Sequence, residues 1–148
     1  MSWENEYKSK LTTAEKAVEL IKSGNRVVIG HACGEPSYLV DAMVANAESY
    51  HDVEIVHMVA MGKAGYAQPG MESHFRHNAL FVGGTTRKAV AEGRGDYTPC
   101  FFYRIPSLFT NGSLPVDVAL VQATPPDENG NMSLGTVSYT HLRAHETC

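Results

Sequence analysis

The sequence predicts an α/β domain whose sheet is largely parallel and covered by helices on both faces. Three observations predict it. Runs such as RVVIG (26–30), VEIVHMVAM (53–61) and VDVALVQA (116–123) are apolar almost throughout, the pattern of strands buried on both sides. Between such runs lie segments with apolar residues at helical spacing. The two kinds alternate along the chain, as helical crossovers between parallel strands require.

The elements follow in order. Residues 12–23 predict a helix, with Thr12 and Glu15 as a capping pair, Ala14, Ala17, Val18 and Ile21 on one face, and Gly24 as its stop. RVVIG is the first strand, and 30–34 a loop. Pro36 suits the first turn of a second helix, in which Leu39, Val40, Met43, Val44 and Ala47 form an apolar stripe. VEIVHMVAM is the second strand, followed by the loop GKAGYAQPG. ALFVG (79–83) predicts a third strand, and 85–92 a short helix capped by Thr85 and ended by Gly93 and Gly95. CFFYRI (100–105) predicts a strand leading to a helical turn at PSLF, and VDVALVQA a strand bounded by Pro115 and Pro125. DENGN (127–131) is turn chemistry.

The totals narrow the class. A chain of 148 residues suits one domain able to bury its own core. With 43% hydrophobic and 19% charged residues it is ordinary for a soluble domain. A formal charge of −4 argues against a nucleic-acid surface. No apolar run reaches the ~18 residues of a membrane span, and MSWENEYKSK lacks the apolar core of a signal peptide. Cys33, Cys100 and Cys148 are widely spaced, so no disulfide framework is expected and a cytoplasmic location is.

Open α/β sheets bind ligands outside the carboxyl ends of their strands. Three segments leave a strand there with polar residues. In GHACGEP, His31 follows a strand, Gly34 permits close approach, and Glu35 precedes the helix opened by Pro36. The competing reading is that Glu35 caps its own helix and His31 bonds a neighbouring loop. In GGTTRKAV, Thr85, Thr86 and Arg87 at a helix start form a candidate anion-binding set, or an ordinary capped helix. The segment matches neither a Walker A loop nor GxGxxG. In ATPPDENGNMSLG, Asp127 reads as a turn residue. Met58 and Met61, at a strand end, are placed to pack or to line a pocket. HFRH has a metal-site spacing in His74 and His77 but no third ligand nearby, so a surface or loop role is expected and no metal.

Taken together, AVELIKSGNRVVIGHACGEP, LVDAMVANAESYHDVEIVHMV, FVGGTTRKAVAEGRGDYTPCFF, IPSLF and PVDVALVQATPPDENGNMSLG resemble the amino-terminal domain of the acetyl-CoA hydrolase/transferase family. The resemblance is nearest to 4-hydroxybutyrate and butyryl-CoA:acetate CoA-transferases, and its residues extend over nearly all of 7–136. It implies a CoA-transferase-type fold, the first of two such domains, in a homodimeric parent. It implies coenzyme A as an acyl-CoA co-substrate, small carboxylic acids as the other substrates, and no permanently bound cofactor. It also implies covalent catalysis through a glutamyl-CoA thioester.

The family glutamate has no counterpart here and is expected beyond the end of this chain, so no catalytic residue is carried over. His31, Gly34, Glu35, Met58, Met61 and Gly62 are expected to shape the substrate pocket. Residues 1–137 are then the family domain, truncated. Residues 138–148, ending HLRAHETC, are a tail outside the family pattern, attributed to sequencing read-through. Three alternatives stand beside this reading: an acetyl-CoA hydrolase of the same family, a non-catalytic domain binding acyl-CoA or a small acid, and a sugar-phosphate isomerase using Glu35 and His31.

Overall fold

The computed structural model describes residues 2–134; the tail expected over 138–148 lies outside the described residues. Five parallel strands form one sheet: β1 (Arg26–Ile29), β2 (Val53–His57), β3 (Phe75–Ala79), β4 (Gly95–Tyr97) and β5 (Val118–Leu120). Their spatial order is β4-β3-β2-β1-β5. The helices are α1 (Trp3–Lys10), α2 (Ala14–Val18), α3 (Ser37–Ala45), α4 (Arg87–Ala91) and α5 (Ile105–Thr110). The expected fold class is therefore the observed one.

The order of the strands decides where the helices go. The chain steps outward from β1 to β4, then returns across the sheet to add β5 on the far side of β1. Parallel crossovers are right-handed almost without exception, so reversing the direction of travel moves the crossover to the other face. Two cores result. Val18, Ile21, Val40 and Met43 pack on Val27, Ile29, Val53, Ile55 and Phe75 on one face. On the other, Ile105, Leu108 and Phe109 pack on Val28, Val56, Met58 and Leu80.

The same alternation explains the polar strand residues. Arg26 pairs with Glu54 at 2.6 Å, Asn78 donates to Glu54 Oε1 at 2.7 Å, and Thr98 donates to Asn78 Oδ1 at 2.8 Å. This ladder runs from β1 across β2 and β3 to the residue just after β4 and satisfies each polar group by its neighbour, so no member is left as an uncompensated cost. At the edge, Arg76 closes a two-bond fork on Asp96.

Several expected elements are displaced. The first predicted helix shortens to α2, and Thr13, not Thr12, caps it by accepting from the Lys16 N–H. β3 is FRHNA, not ALFVG: Phe75, His77 and Ala79 alternate toward the larger core, whereas Phe81 is 57% exposed. CFFYRI is not a strand but a 3₁₀ turn running into α5, because Pro106 sits at the helix start. The expected helical turn at PSLF is part of α5. Thr86 rather than Thr85 precedes α4. Two elements had no sequence signal: β4, three residues long, and α1, whose Trp3 packs against Gly130 of the DENGN turn. That turn forms as expected, with Asp127 accepting from the N–H groups of Asn129 and Asn131.

The register of β3 is testable. Phe75→Ala should cost about 3–5 kcal/mol in urea unfolding, as a buried aromatic truncation does. Phe81→Ala should cost about 0.5 kcal/mol or less. The opposite ranking would restore the strand at 79–83.

Candidate functional site

The reversal of strand order falls beside β1, and crevices at such points are where open α/β sheets take ligands. The backbone is tightly built there. The Gly30 N–H donates to Leu120 O at 2.8 Å, and a Cβ at Gly30 would stand 2.7 Å from the Gly34 carbonyl oxygen, so only glycine fits. Ala32 follows at φ +54°, a left-handed conformation that costs a non-glycine residue ~1–2 kcal/mol. Its N–H is held by Val59 O at 2.9 Å. Ala64, across the site, is also left-handed at φ +45°.

Beneath α5 lies an apolar cavity of about 270 Å³, walled by Val28, Val56, Met58, Leu80, Ile105 and Phe109. His31 and Thr110 are the polar residues at its lining. The His31 ring stands edge-on to Phe102, with centroids 6.4 Å apart. An apolar cavity of about 150 Å³ holds a benzene-sized guest, so this one has room for a short acyl chain.

Behind His31 is a buried polar network. Glu35 Oε2 accepts from two backbone donors, the Met61 N–H at 2.8 Å and the Gly62 N–H at 2.9 Å. A Cβ at Gly62 would overlap the Glu35 carboxylate, which is why residue 62 is glycine. His57 Nε2 lies 3.9 Å from Glu35 Oε2, and His57 Nδ1 is 2.7 Å from the Tyr66 hydroxyl. The His77 ring is tilted against Tyr66 with centroids 5.5 Å apart, and its Nδ1 lies 3.2 Å from Ile55 O.

Burial, with His77 and His31 adding their repulsion, lowers the His57 pKa to about 3; a backbone interaction with Gly30 opposes this weakly. Burial also lowers His31 and His77, the latter opposed by the Ile55 carbonyl and Asp96. Tyr66 is pushed far above its ordinary range by burial and by Glu35, so it remains a hydroxyl. Neutral His57 carries a single ring proton; with that proton on Nε2, Nδ1 accepts from the Tyr66 hydroxyl.

Of the residues expected from sequence, His31, Glu35, Met58 and Gly62 are brought together, His31 and Met58 at the cavity and the other two behind it. The Met61 side chain is 67% exposed and only its backbone takes part. Gly34 has open space where a Cβ would stand, so the close approach expected of it belongs to Gly30. Thr85, Thr86 and Arg87 do not line the cavity: Thr85 donates to Ala60 O at 3.2 Å, Thr86 is buried, and Arg87 is exposed. His77 is no loop residue but a strand residue 1% exposed, correcting the reading of HFRH. Among the described residues no group of three or more His, Cys, Asp or Glu has the arrangement to hold a metal. Cys33 and Cys100 are free thiols.

Sequence reasoning missed His57 and Tyr66, and misplaced His77 in a surface loop. A signal existed for His57, which continues the Val53–Ile55 alternation into the core. Tyr66 sits in a loop whose sequence carries no periodicity.

Fold and site together define a parallel α/β domain that carries an apolar cavity and a braced carboxylate at its strand ends. Residues 1–146 match the family described as acetyl-CoA hydrolase/transferase N-terminal domain. The chain belongs to that family. It is 62% identical over 135 residues to the 4-hydroxybutyrate coenzyme A transferase of Clostridium kluyveri, covering 91% of this chain and 32% of that protein. It is 32% identical over 145 residues to the butyryl-CoA:acetate CoA-transferase of Anaerostipes caccae, covering 97% of this chain and 32% of the relative. Among solved structures, the 4-hydroxybutyrate CoA-transferase from Porphyromonas gingivalis superposes with a TM-score of 0.74 at 31% identity, over 97% of this chain and 33% of that one. RipA from Yersinia pestis shares the fold, with a TM-score of 0.83 at 24% identity, over 91% and 34% respectively. The chain thus spans about a third of the length of the relatives it matches.

Three buried histidines with lowered pKa values make stability depend on pH. In the unfolded chain they take up protons near the ordinary value of about 6.5, whereas folded His57 resists until about 3. The His57 contribution is therefore fully present above about pH 6.5 and falls as the pH drops toward about 3, by up to about 1.4 kcal/mol per pH unit, and His31 and His77 act in the same direction. Urea unfolding between pH 7.5 and 4.5 checks this, once the carboxylate contribution is measured in a His57→Phe, His77→Phe variant. An equal slope in the two proteins would contradict neutral burial.

Proposed function

We propose that this domain is the amino-terminal part of an acyl-CoA:carboxylate CoA-transferase and supplies the wall that holds the acyl group. The observation that carries the reading is the cavity beneath α5: apolar, of short-chain size, at the strand ends, with His31 at its lining. The names of the relatives, 4-hydroxybutyrate and butyryl-CoA transferases, support acyl groups of about that size. Small carboxylic acids such as acetate are the acceptors, coenzyme A is a co-substrate, and the working unit is a cytoplasmic homodimer. No helix among the described residues is long and apolar enough to cross a membrane.

In this reading a glutamate carboxylate from outside residues 1–137 attacks the thioester carbonyl, giving a mixed anhydride and the CoA thiolate. The thiolate returns to the glutamyl carbonyl and releases the first acid, and the second acid reverses the sequence. The cavity wall orients the acyl chain and keeps water from the anhydride. Excluding water is what separates transfer from hydrolysis, and the apolar lining supports transfer.

Glu35 and His31 as an acid/base pair for sugar isomerisation are disfavoured by the geometry. Glu35 is buried with two backbone bonds on one oxygen, and the cavity lining is apolar.

Titration with butyryl-CoA, butyrate and a sugar phosphate, followed by amide chemical shifts, tests the reading. Butyryl-CoA should perturb residues around His31, Met58 and Leu80, the sugar phosphate should not, and the 148-residue chain should exchange no CoA with acetate. His31→Ala and Leu80→Trp should each weaken butyryl-CoA binding by about tenfold or more while leaving free CoA unaffected. CoA exchange by the chain alone, or unchanged affinity in both variants, would overturn the assignment.

A further inference from the structure

We infer that Glu35 is a positioning residue: its buried carboxylate, accepting from the Met61 and Gly62 N–H groups, fixes the 61–62 peptide and so sets the shape of the loop beside the acyl cavity. The inference rests on the reading above only for what the loop serves. Its physical part stands on contacts within this chain.

Residues 58–64 leave β2 with no regular structure, yet they are clasped at several points, the Val59 carbonyl accepting from the Ala32 N–H among them. At the entry, His57 is held by Tyr66, which lies just past the far end of the loop. In the middle, the Met61 and Gly62 N–H groups converge on a single oxygen of Glu35. At the rim, the Ala60 carbonyl accepts from the Thr85 hydroxyl at 3.2 Å. Two successive N–H groups aimed at one oxygen make an anion-holding concavity, and Glu35 fills it from within the fold.

The strain supports the same conclusion. Ala32 and Ala64 are both left-handed, one three residues before Glu35 and one at the end of the loop it holds. Such conformations persist where surrounding contacts over-determine them, and they cluster at ligand sites. Glu35 and the Ala32–Val59 backbone bond are contacts common to both segments, and of these only Glu35 reaches the 61–62 peptide. Its side chain is 4% exposed and walled in by the loop, so it is not presented to a substrate and touches no reacting atom.

The experiment uses the 148-residue chain and its Glu35→Ala, Glu35→Gln, Glu35→Asp and Tyr66→Phe variants. Amide hydrogen exchange reads the clasp. Glu35→Ala should lose roughly a hundredfold in protection at Met61 and Gly62 while β1 and β2 amides keep theirs. Glu35→Gln should stay within about tenfold of wild type, because one side-chain amide oxygen accepts the same two donors. If the alanine variant does not fold, Glu35→Asp, one methylene shorter, should show the same local loss. Imidazole ¹⁵N shifts should place the His57 proton on Nε2, and Tyr66→Phe should alter them.

Butyryl-CoA affinity should fall about tenfold or more in Glu35→Ala and less than about threefold in Glu35→Gln. Full protection at Met61 and Gly62 in a folded Ala or Asp variant overturns the clasp. Lost protection with unchanged butyryl-CoA affinity overturns the positioning role. A wild-type chain that binds no butyryl-CoA sinks the functional reading instead, and the exchange data then decide the clasp by themselves.

Discussion

The reversal of strand order beside β1 is the constraint on which the rest of the structure depends. Four strands are laid down in one direction, and the fifth must cross back over the sheet to reach the open side of β1. Right-handed crossovers then force α5 onto the face that α2 and α3 do not cover. Because α5 is only six residues long, it covers that face thinly, and the space between its Ile105 and Phe109 and the strand residues Val28 and Val56 is the cavity. The site is thus a consequence of topology before it is a matter of particular side chains. The same reversal leaves β1 with hydrogen-bonded neighbours on both sides, so the loop leaving it starts from a rigid edge.

Polar groups inside the domain are treated in two different ways, and the contrast marks the site. Across the sheet, Arg26, Glu54, Asn78 and Thr98 each find a side-chain partner at 2.6–2.8 Å. Near the carboxyl edge, His57 Nε2 and His77 Nε2 are buried with no hydrogen-bond partner among the described residues. Each such group costs about 1–3 kcal/mol against a satisfied one. A fold selected for stability alone would replace these rings with apolar ones of similar size. Left-handed Ala32 and Ala64 add to that cost in the same region, while a third such residue, Asp52, precedes β2 at its opposite end.

How much of this was legible in the sequence follows from what each signal measures. Apolar runs report burial on both faces, so β1, β2 and β5 were found where RVVIG, VEIVHMVAM and VDVALVQA stand, each with overlong ends. The same rule misplaced β3. FRHNA looks polar in isolation, because the partners that neutralise Arg76 and Asn78 come from β4 and β2, tens of residues distant in either direction. A residue-by-residue hydropathy argument has no access to such partners. CFFYRI failed for the complementary reason. Its aromatic run satisfies strand propensity, but the sheet ends at β4 and offers it no neighbour, so Phe101 and Tyr103 stay exposed and the chain coils into α5.

The site itself divides along the same line. His31 and Glu35 could be found because a polar residue directly after a buried strand has few structural duties that a small apolar residue would not perform as well. The burial of His57 could be read from the alternation of β2, but its pairing with Tyr66 could not, since their roles exist only as a pair. An imidazole at the end of an alternating strand reads as a satisfied core residue until its partner is known. A tyrosine in a glycine-rich loop reads as surface. The 2.7 Å bond between them joins the entry of the loop to its exit, and through the carboxylate 3.9 Å beyond it reaches the start of α3. Sequence spacing can nominate the residue that faces the ligand. The residues that hold it still are specified by closure of a loop in space, and closure becomes visible only when the chain is folded.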